Sequence, residues 1–161
     1  MLFHLSIEAD EPRHVAEIFA EIWGGKAFPF PAVTPGSWVA FAGDDRGTMI
    51  EVYPRGTAIY EVEGDNDAIG IRVMPRRHSA THMAIGTRLS QEEVFAICER
   101  QGWPAKYRLR GGVFGVIEIF VEECQMIEVL TEEMQQQYVS SVTIENWQRM
   151  LEARLPLAEA A

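Results

Sequence analysis

The chain has 161 residues and a net charge of −10, and 47% of its residues are hydrophobic while 24% are charged. This length can bury a substantial core, and the composition is that of a globular protein. The acidic balance argues against binding to nucleic acid, because contacts to phosphate backbones require basic patches.

Cellular location is predicted from what the sequence lacks. It has no basic, apolar leader and no apolar run of membrane-spanning length. Cys98 and Cys124 lie in apolar segments without the spacing of a disulfide framework, which indicates reduced thiols. We therefore expect a cytoplasmic protein with neither a membrane nor a nucleic-acid partner.

The chain begins with a predicted strand and helix. Residues 2–8 alternate apolar and polar side chains, as a half-buried strand does. Asp10 is a candidate helix cap, and Gly24 with Gly25 is the expected stop. The helix between them is amphipathic, because one face carries its large apolar residues Val15, Ile18, Phe19 and Ile22.

Three strands are predicted to complete the first half. Residues 26–35 contain Pro29, Pro31 and Pro35, which permit at most a short edge strand. Residues 37–43 and 48–53 are predicted to pair across a tight turn at residues 44–47. The first half is therefore predicted as βαβββ.

The same pattern restarts near residue 81, after a linker. Within the linker, residues 57–62 and 69–74 either pair as a hairpin or remain a solvated connection. Ser90 and Glu93 have the spacing of a capping box, and strands are predicted at residues 105–110, 113–122 and 125–130. A closing helix from residue 143 is expected to cover apolar surface with Ile144, Trp147, Met150 and Leu151.

An internal repeat supports this division. The tetrapeptide Met-Ile-Glu-Val occurs at residues 49–52 and again at residues 126–129, and a strand containing a histidine precedes each copy. We predict a single domain with module one at 1–54, a linker at 55–80, module two at 81–131, and a C-terminal tail and helix at 132–161.

The repeat places His4, Glu51, His82 and Glu128 at matching positions. Imidazole and carboxylate groups are common ligands of divalent metals. Each of the four has apolar neighbours along its strand, so alternation points it away from the face that packs on a helix. They are predicted metal ligands, and the alternative is a duplicated site without a metal.

Further residues are candidates for lining a cavity. Glu118 lies within an apolar strand and matches Phe41 when the two halves are aligned without gaps. A carboxylate there acts in the cavity, faces outward, or is paired with Arg108 or Arg110. Phe41, Tyr53, Met49, Met126 and Trp38 are cavity candidates too, although aromatic residues and methionine are also common in cores.

With these residues in this order, the sequence resembles the vicinal-oxygen-chelate superfamily, which includes glyoxalase I, bleomycin-resistance proteins and extradiol dioxygenases. The resemblance covers about residues 2–53 and 81–131. Asp44 and Gly47 match the turn before the family's final Ile-Glu-Leu, whereas residues 121–124 lack both, so the last hairpin is expected to turn differently. The resemblance implies an α+β fold of two tandem βαβββ modules, whose curled mixed sheets form a cavity, plus a C-terminal helix.

The resemblance also implies a function. A divalent metal (Ni, Zn, Co, Mn or Fe) would be bound by His4, Glu51, His82 and Glu128, with Glu128 as the first candidate for the general base and Glu51 as the second. The expected activity is that of a glyoxalase-type isomerase or lyase that stabilises an enediolate-like intermediate on a small oxygenated or thiol-adduct substrate.

Two other functions remain open from the sequence. One is an Fe(II) extradiol-type dioxygenase, and the other is a non-enzymatic small-molecule binding protein of the antibiotic-sequestering kind. A homodimer is expected from the resemblance, with modules that pair within one chain or swap between two.

Overall fold

The computed structural model describes residues 3–30, 33–63 and 68–158. Ten strands and four helices lie in these ranges. Their order is β1 (His4–Ala9), α1 (Pro12–Trp23), β2 (Lys26–Pro29), β3 (Trp38–Phe41), β4 (Met49–Pro54), β5 (Thr57–Tyr60), β6 (Ile69–Arg72), β7 (Met83–Gly86), α2 (Gln91–Gln101), β8 (Ala105–Arg110), β9 (Phe114–Val121), β10 (Gln125–Leu130), α3 (Glu132–Ser141) and α4 (Ile144–Ala158).

The two halves form two sheets with the same topology. Strands β1, β4, β3 and β2 lie side by side in the first sheet, and β7, β10, β9 and β8 in the second. The parallel pairs are β1 with β4 and β7 with β10, and the other neighbouring strands are antiparallel. The predicted α+β class and its tandem βαβββ units are confirmed. Strands β1 and β7 are edge strands in this order.

Alternation along the strands separates two faces of the first sheet. Leu5 lies opposite Ile50 and Ile7 opposite Val52, and their face joins the apolar core with α1. The other face carries His4, Ser6 and Glu8 of β1 and Met49, Glu51 and Tyr53 of β4. We call this the site face, and the corresponding face of the second sheet carries Glu118 and Glu128.

The two crossover helices begin differently. Ser90 and Glu93 form the predicted capping box at the start of α2. The prediction of Asp10 as the cap of α1 is wrong, because the N-cap residue is Glu11 and its side chain caps nothing. Both helices end at a glycine in the left-handed conformation, which is Gly24 in α1, as predicted, and Gly102 in α2.

The linker forms its predicted hairpin, whereas the C-terminal tail matches its prediction only in part. Strands β5 and β6 form the predicted hairpin, although its turn at residues 64–67 lies outside the described residues. Helix α3 was not predicted. Helix α4 is present, but it does not cover apolar surface as expected: the exposed fractions of Ile144, Trp147 and Leu151 are 74%, 56% and 49%. Of the described helices, none combines the length and apolarity needed to cross a membrane.

The two modules share one apolar core that includes residues of both α1 and α2. Polar contacts at its margin also join the modules. The Thr87 hydroxyl donates to the carbonyl oxygen of Ile22, and Arg100 lies 2.5 Å from the Glu21 carboxylate. His14 is bonded to Gln101 at 2.6 Å. Helix α1 is therefore held by module two as well as by its own sheet.

The turn between β9 and β10 makes a further contact between the modules. Glu122 and Glu123 have φ values of 48° and 61°, a conformation that costs free energy in residues other than glycine. The Glu122 carboxylate accepts hydrogen bonds from the backbone amides of Asp10 and Glu11, at 2.6 and 2.8 Å. It therefore supplies, from the other module, the capping that α1 lacks locally, where a carboxylate also faces the positive end of the helix dipole.

Candidate functional site

The first module brings one histidine and one carboxylate together on its site face. His4 Nε2 lies 3.9 Å from Glu51 Oε1. Strands β1 and β4 are parallel, and Ser6 of β1 lies opposite Glu51 of β4. His4 lies two residues before Ser6 on β1, on the same face of the sheet. His4 is exposed, whereas only 7% of Glu51 is accessible.

Neutral hydroxyl groups fix the Glu51 carboxylate. Its Oε2 atom accepts hydrogen bonds from the Ser6 hydroxyl at 2.8 Å and from the Tyr53 hydroxyl at 2.7 Å. Burial, followed by the hydrogen bond to Glu51, raises the pKa of Tyr53 well above its ordinary value. Tyr53 therefore remains a donor, and Oε1 is left facing His4.

In the second module, His82 and Glu128 occupy the equivalent positions in sequence. His82 is exposed and immediately precedes β7, whose Met83 lies opposite Ile127. Its Nδ1 lies 3.1 Å from the carbonyl oxygen of Ala80, which can only accept a hydrogen bond. In the neutral ring this contact places the proton on Nδ1 and leaves Nε2 as the atom able to bind a metal.

Glu128 has a charged partner in place of the hydroxyls around Glu51. Arg110 Nε donates to Glu128 Oε1 at 3.0 Å, and its Nη2 contacts the same atom. Ala84 lies opposite Glu128 where Ser6 lies opposite Glu51. The hydrogen bond to Glu128 is the main cause that raises the pKa of Arg110, so this group stays a cation.

Glu118 belongs to the same cluster. It lies directly opposite Glu128 in the antiparallel β9–β10 pair, where two carboxylates repel each other. Arg110 Nη2 lies 2.6 Å from Glu118 Oε1, and Arg108 Nε lies 3.1 Å from Oε2. Both arginines that the sequence offered as partners are therefore bonded to Glu118.

The match of Glu118 to Phe41 is wrong. Glu118 lies opposite Glu128, and the residue opposite Glu51 is Val39. Phe41 lies opposite Met49, as Phe120 lies opposite Met126. The turn between the two strands is longer in module one than in module two, so an alignment without gaps shifts the earlier strand.

The predicted cavity residues are separated in the structure. A cleft of about 610 Å³ is lined by the starts of β1 and β4, the edge strand β7 and the start of α3. His4 and Met49 border it, whereas Phe41, Tyr53, Met126 and Glu118 do not. Phe41, Met49 and Tyr53 of the first sheet, and Glu118 and Met126 of the second, nevertheless lie on the site face of their own sheet. Trp38 lies opposite Val52 and is on the other face.

The four predicted ligands have the donor types that a divalent metal requires, but they do not meet in one place: His4 lies beside Glu51, whereas Glu128 is bonded to Arg110. Within the described ranges of one chain, no three His, Cys, Asp or Glu side chains converge as a metal site would require. His4 and Glu51 form half of a site. The donor set therefore fits a metal only if a second half-site is supplied.

Comparison with known proteins identifies the fold. No family model matches the sequence, and no curated protein matches it significantly. Among solved structures, the fosfomycin resistance protein FosX of Listeria monocytogenes is similar with a TM-score of 0.53 and 12% identity, over 85% of this chain and 97% of that one. Lactoylglutathione lyase of Agrobacterium tumefaciens is similar with a TM-score of 0.51 and 12% identity, over 80% and 91% of the chains. The chain has the vicinal-oxygen-chelate fold.

Three polar side chains that contact Glu51 or Glu128 were not predicted in that role from the sequence. Ser6 was not singled out, and Tyr53 was considered only as a cavity residue. Arg110 was named as a partner of Glu118 and not of Glu128. The available signal was alternation: Ser6 shares a face with His4, and Arg110 shares one with Glu118 once the register is known.

Proposed function

We propose that the protein is a divalent-metal-dependent isomerase or lyase of the glyoxalase type, which acts on a small oxygenated or thiol-adduct substrate. The observation that carries the proposal is the His4–Glu51 pair, with its buried carboxylate held by two hydroxyls and one oxygen left free. The repeated Met-Ile-Glu-Val segment and His82 provide a second pair of the same composition.

The complete site is proposed to form between two copies of the chain. His4 and Glu51 of one copy and His82 and Glu128 of the other would bind the metal, because a single chain brings no three such groups together in its described part. Strands β1 and β7 are the edge strands beside these pairs, and an edge strand can pair with another chain. A symmetric homodimer would contain two equivalent sites.

Two chemical roles follow for the carboxylates. A bound divalent metal would supply a Lewis acid for two adjacent oxygens of the substrate. Glu51 is suited to a fixed ligand, since two hydroxyls restrain its other oxygen. Glu128 is proposed as the general base that removes a proton from the carbon beside those oxygens, because its guanidinium partner is partly exposed and can move.

A second candidate is a small-molecule binding protein that needs no metal. The ion pair between Arg110 and Glu128 favours it, because a guanidinium already neutralises one predicted ligand. The two candidates differ in whether the purified protein contains a metal.

The first experiment is to measure the metal content of the purified, untagged protein by mass spectrometry. We expect about one divalent ion per chain in the wild type and a near-complete loss in the His4→Ala/His82→Ala variant. His78→Ala is the matched control, because this exposed histidine lies outside both pairs. No metal after incubation with Ni²⁺, Zn²⁺ and Mn²⁺ would favour the binding protein.

Mixed dimers test whether two chains share the site. His4→Ala and His82→Ala chains each lose the metal alone, but a dimer of one with the other contains one intact site if the modules come from different chains. Random mixing gives about half mixed dimers, and so recovers about a quarter of the wild-type metal. If each site lay within one chain, mixing would recover nothing.

A further inference from the structure

Arg108, Arg110, Glu118 and Glu128 form a bonded cluster on the site face of module two. We propose that Arg110 is a positioning residue that competes with the metal for Glu128 and releases this carboxylate by moving to Glu118. This inference rests on the proposed function, since it concerns one of the proposed ligands.

The contacts show that Arg110 can exchange partners with little movement. Its Nη2 atom already contacts Oε1 of Glu128 and lies 2.6 Å from Oε1 of Glu118. The Arg110 side chain is 36% accessible, compared with 13% for Glu128 and 14% for Glu118. The cation is therefore the most exposed member of the trio, and it already contacts the carboxylate to which it would move.

Electrostatics gives the exchange a direction. A divalent ion at Glu128 would lie beside the guanidinium, and two cations at that distance repel each other. Glu118 can receive Arg110, because Arg108 is bonded to its Oε2 atom and leaves Oε1 to Arg110. Without Arg110, Glu118 and Glu128 would oppose each other across the ladder with no shared cation.

The contrast with module one indicates that this arrangement is specific to Glu128. Glu51 is held by Ser6 and Tyr53, which are neutral and do not compete with a cation. In module two, Ala84 lies opposite Glu128 at the position of Ser6, and Leu130 stands two residues after Glu128, as Tyr53 does after Glu51. Neither can donate a hydrogen bond from its side chain, so Glu128 depends on Arg110 when no metal is bound.

The test is calorimetric titration of the metal-free, full-length protein with Ni²⁺. Arg110→Met is expected to raise the affinity for Ni²⁺ by about tenfold, because a charge-assisted hydrogen bond no longer has to be broken. Arg108→Met is the matched control, since Arg108 is bonded to Glu118 and not to Glu128. Its effect should stay below about twofold.

Glu118→Gln should change the affinity for Ni²⁺ in the opposite direction to Arg110→Met. It weakens the alternative partner of Arg110, so the affinity for Ni²⁺ should fall, whereas the Arg110→Met/Glu118→Gln double variant should resemble Arg110→Met. The double variant also removes the repulsion between the carboxylates, and therefore covers the case in which Arg110→Met does not fold. Arg110→Lys retains a cation and should remain closer to the wild type.

The outcomes separate this inference from the proposed function. Equal Ni²⁺ affinities in Arg110→Met and Arg108→Met, in a protein that binds the ion, would overturn the role of Arg110 alone. A failure of every variant to bind Ni²⁺ would overturn both proposals. Binding by Arg110→Met together with no binding by the wild type would also overturn both, because Arg110 would then hold Glu128 without releasing it.

Discussion

Glu128→Gln is expected to lower turnover of an aldehyde–thiol adduct by about 10²- to 10⁴-fold while leaving the fold intact. Glutamine cannot take up a proton as a carboxylate does. Its amide oxygen can still accept a hydrogen bond from Arg110, so the contact between β10 and β8 is retained. The loss of activity should therefore not result from unfolding.

The measurement is turnover per metal-loaded site, with circular dichroism as the check on folding. Glu123→Gln is a suitable control, because Glu123 lies exposed in the turn after β9 and changes charge by the same amount. Normal turnover by Glu128→Gln would remove Glu128 from the mechanism and leave Glu51 as the remaining candidate base.

Arg55→Met is expected to lower the free energy of unfolding by about 3 kcal/mol, the largest stability effect that we predict. The Arg55 side chain is only 8% accessible and contacts carboxylates of both modules. Its Nε donates to Asp10 at 2.7 Å, and its Nη2 contacts Glu122. Removing the guanidinium leaves Glu122 largely buried without its cation.

Arg100→Met is the matched control for this effect. Arg100 also joins the two modules through an ion pair, but it and Glu21 are about half exposed, so its loss should cost less than about 1 kcal/mol. Urea unfolding of the three proteins at neutral pH makes the comparison. An equal decrease in the free energy of unfolding of both variants would mean that the burial of Arg55 does not strengthen its contribution to stability.

The difference between Arg55→Met and the wild type should also depend on pH. The hydrogen bond from Arg55 lowers the pKa of Asp10 below its ordinary value of 3.8. The stability from this pair is thus present above that value and is lost as the pH falls through the folded-state pKa. The two unfolding curves should therefore approach each other in acid.

The fold could be predicted largely from local patterns. Alternation in β1 and the repeated Met-Ile-Glu-Val segment were enough to define two βαβββ units, and helical spacing identified α1. These signals are local because burial imposes a fixed period on each element. Helix α4 shows the limit: its spacing predicted a helix correctly but could not show whether another surface covers its apolar face.

The candidate site was less predictable because its contacts join distant positions. The ion pair of Arg110 with Glu128 depends on the register of three strands, and the turn lengths that set this register differ between the modules. Glu122 reaches the start of α1 from the other module, and no local signal connects them. The residues proposed as ligands could therefore be selected from the sequence, whereas the side chains bonded to them could not.

The unequal surroundings of Glu51 and Glu128 have an evolutionary consequence. A dimer of identical single modules must give both of its glutamates the same neighbours, because symmetry copies every substitution to both halves. Duplication within one chain removes that constraint, so one glutamate can have hydroxyl groups around it while the other has an arginine beside it. The tetrapeptide is identical in the two copies, and the differences around it would allow the proposed division, in which Glu51 is a fixed ligand and Glu128 a mobile base.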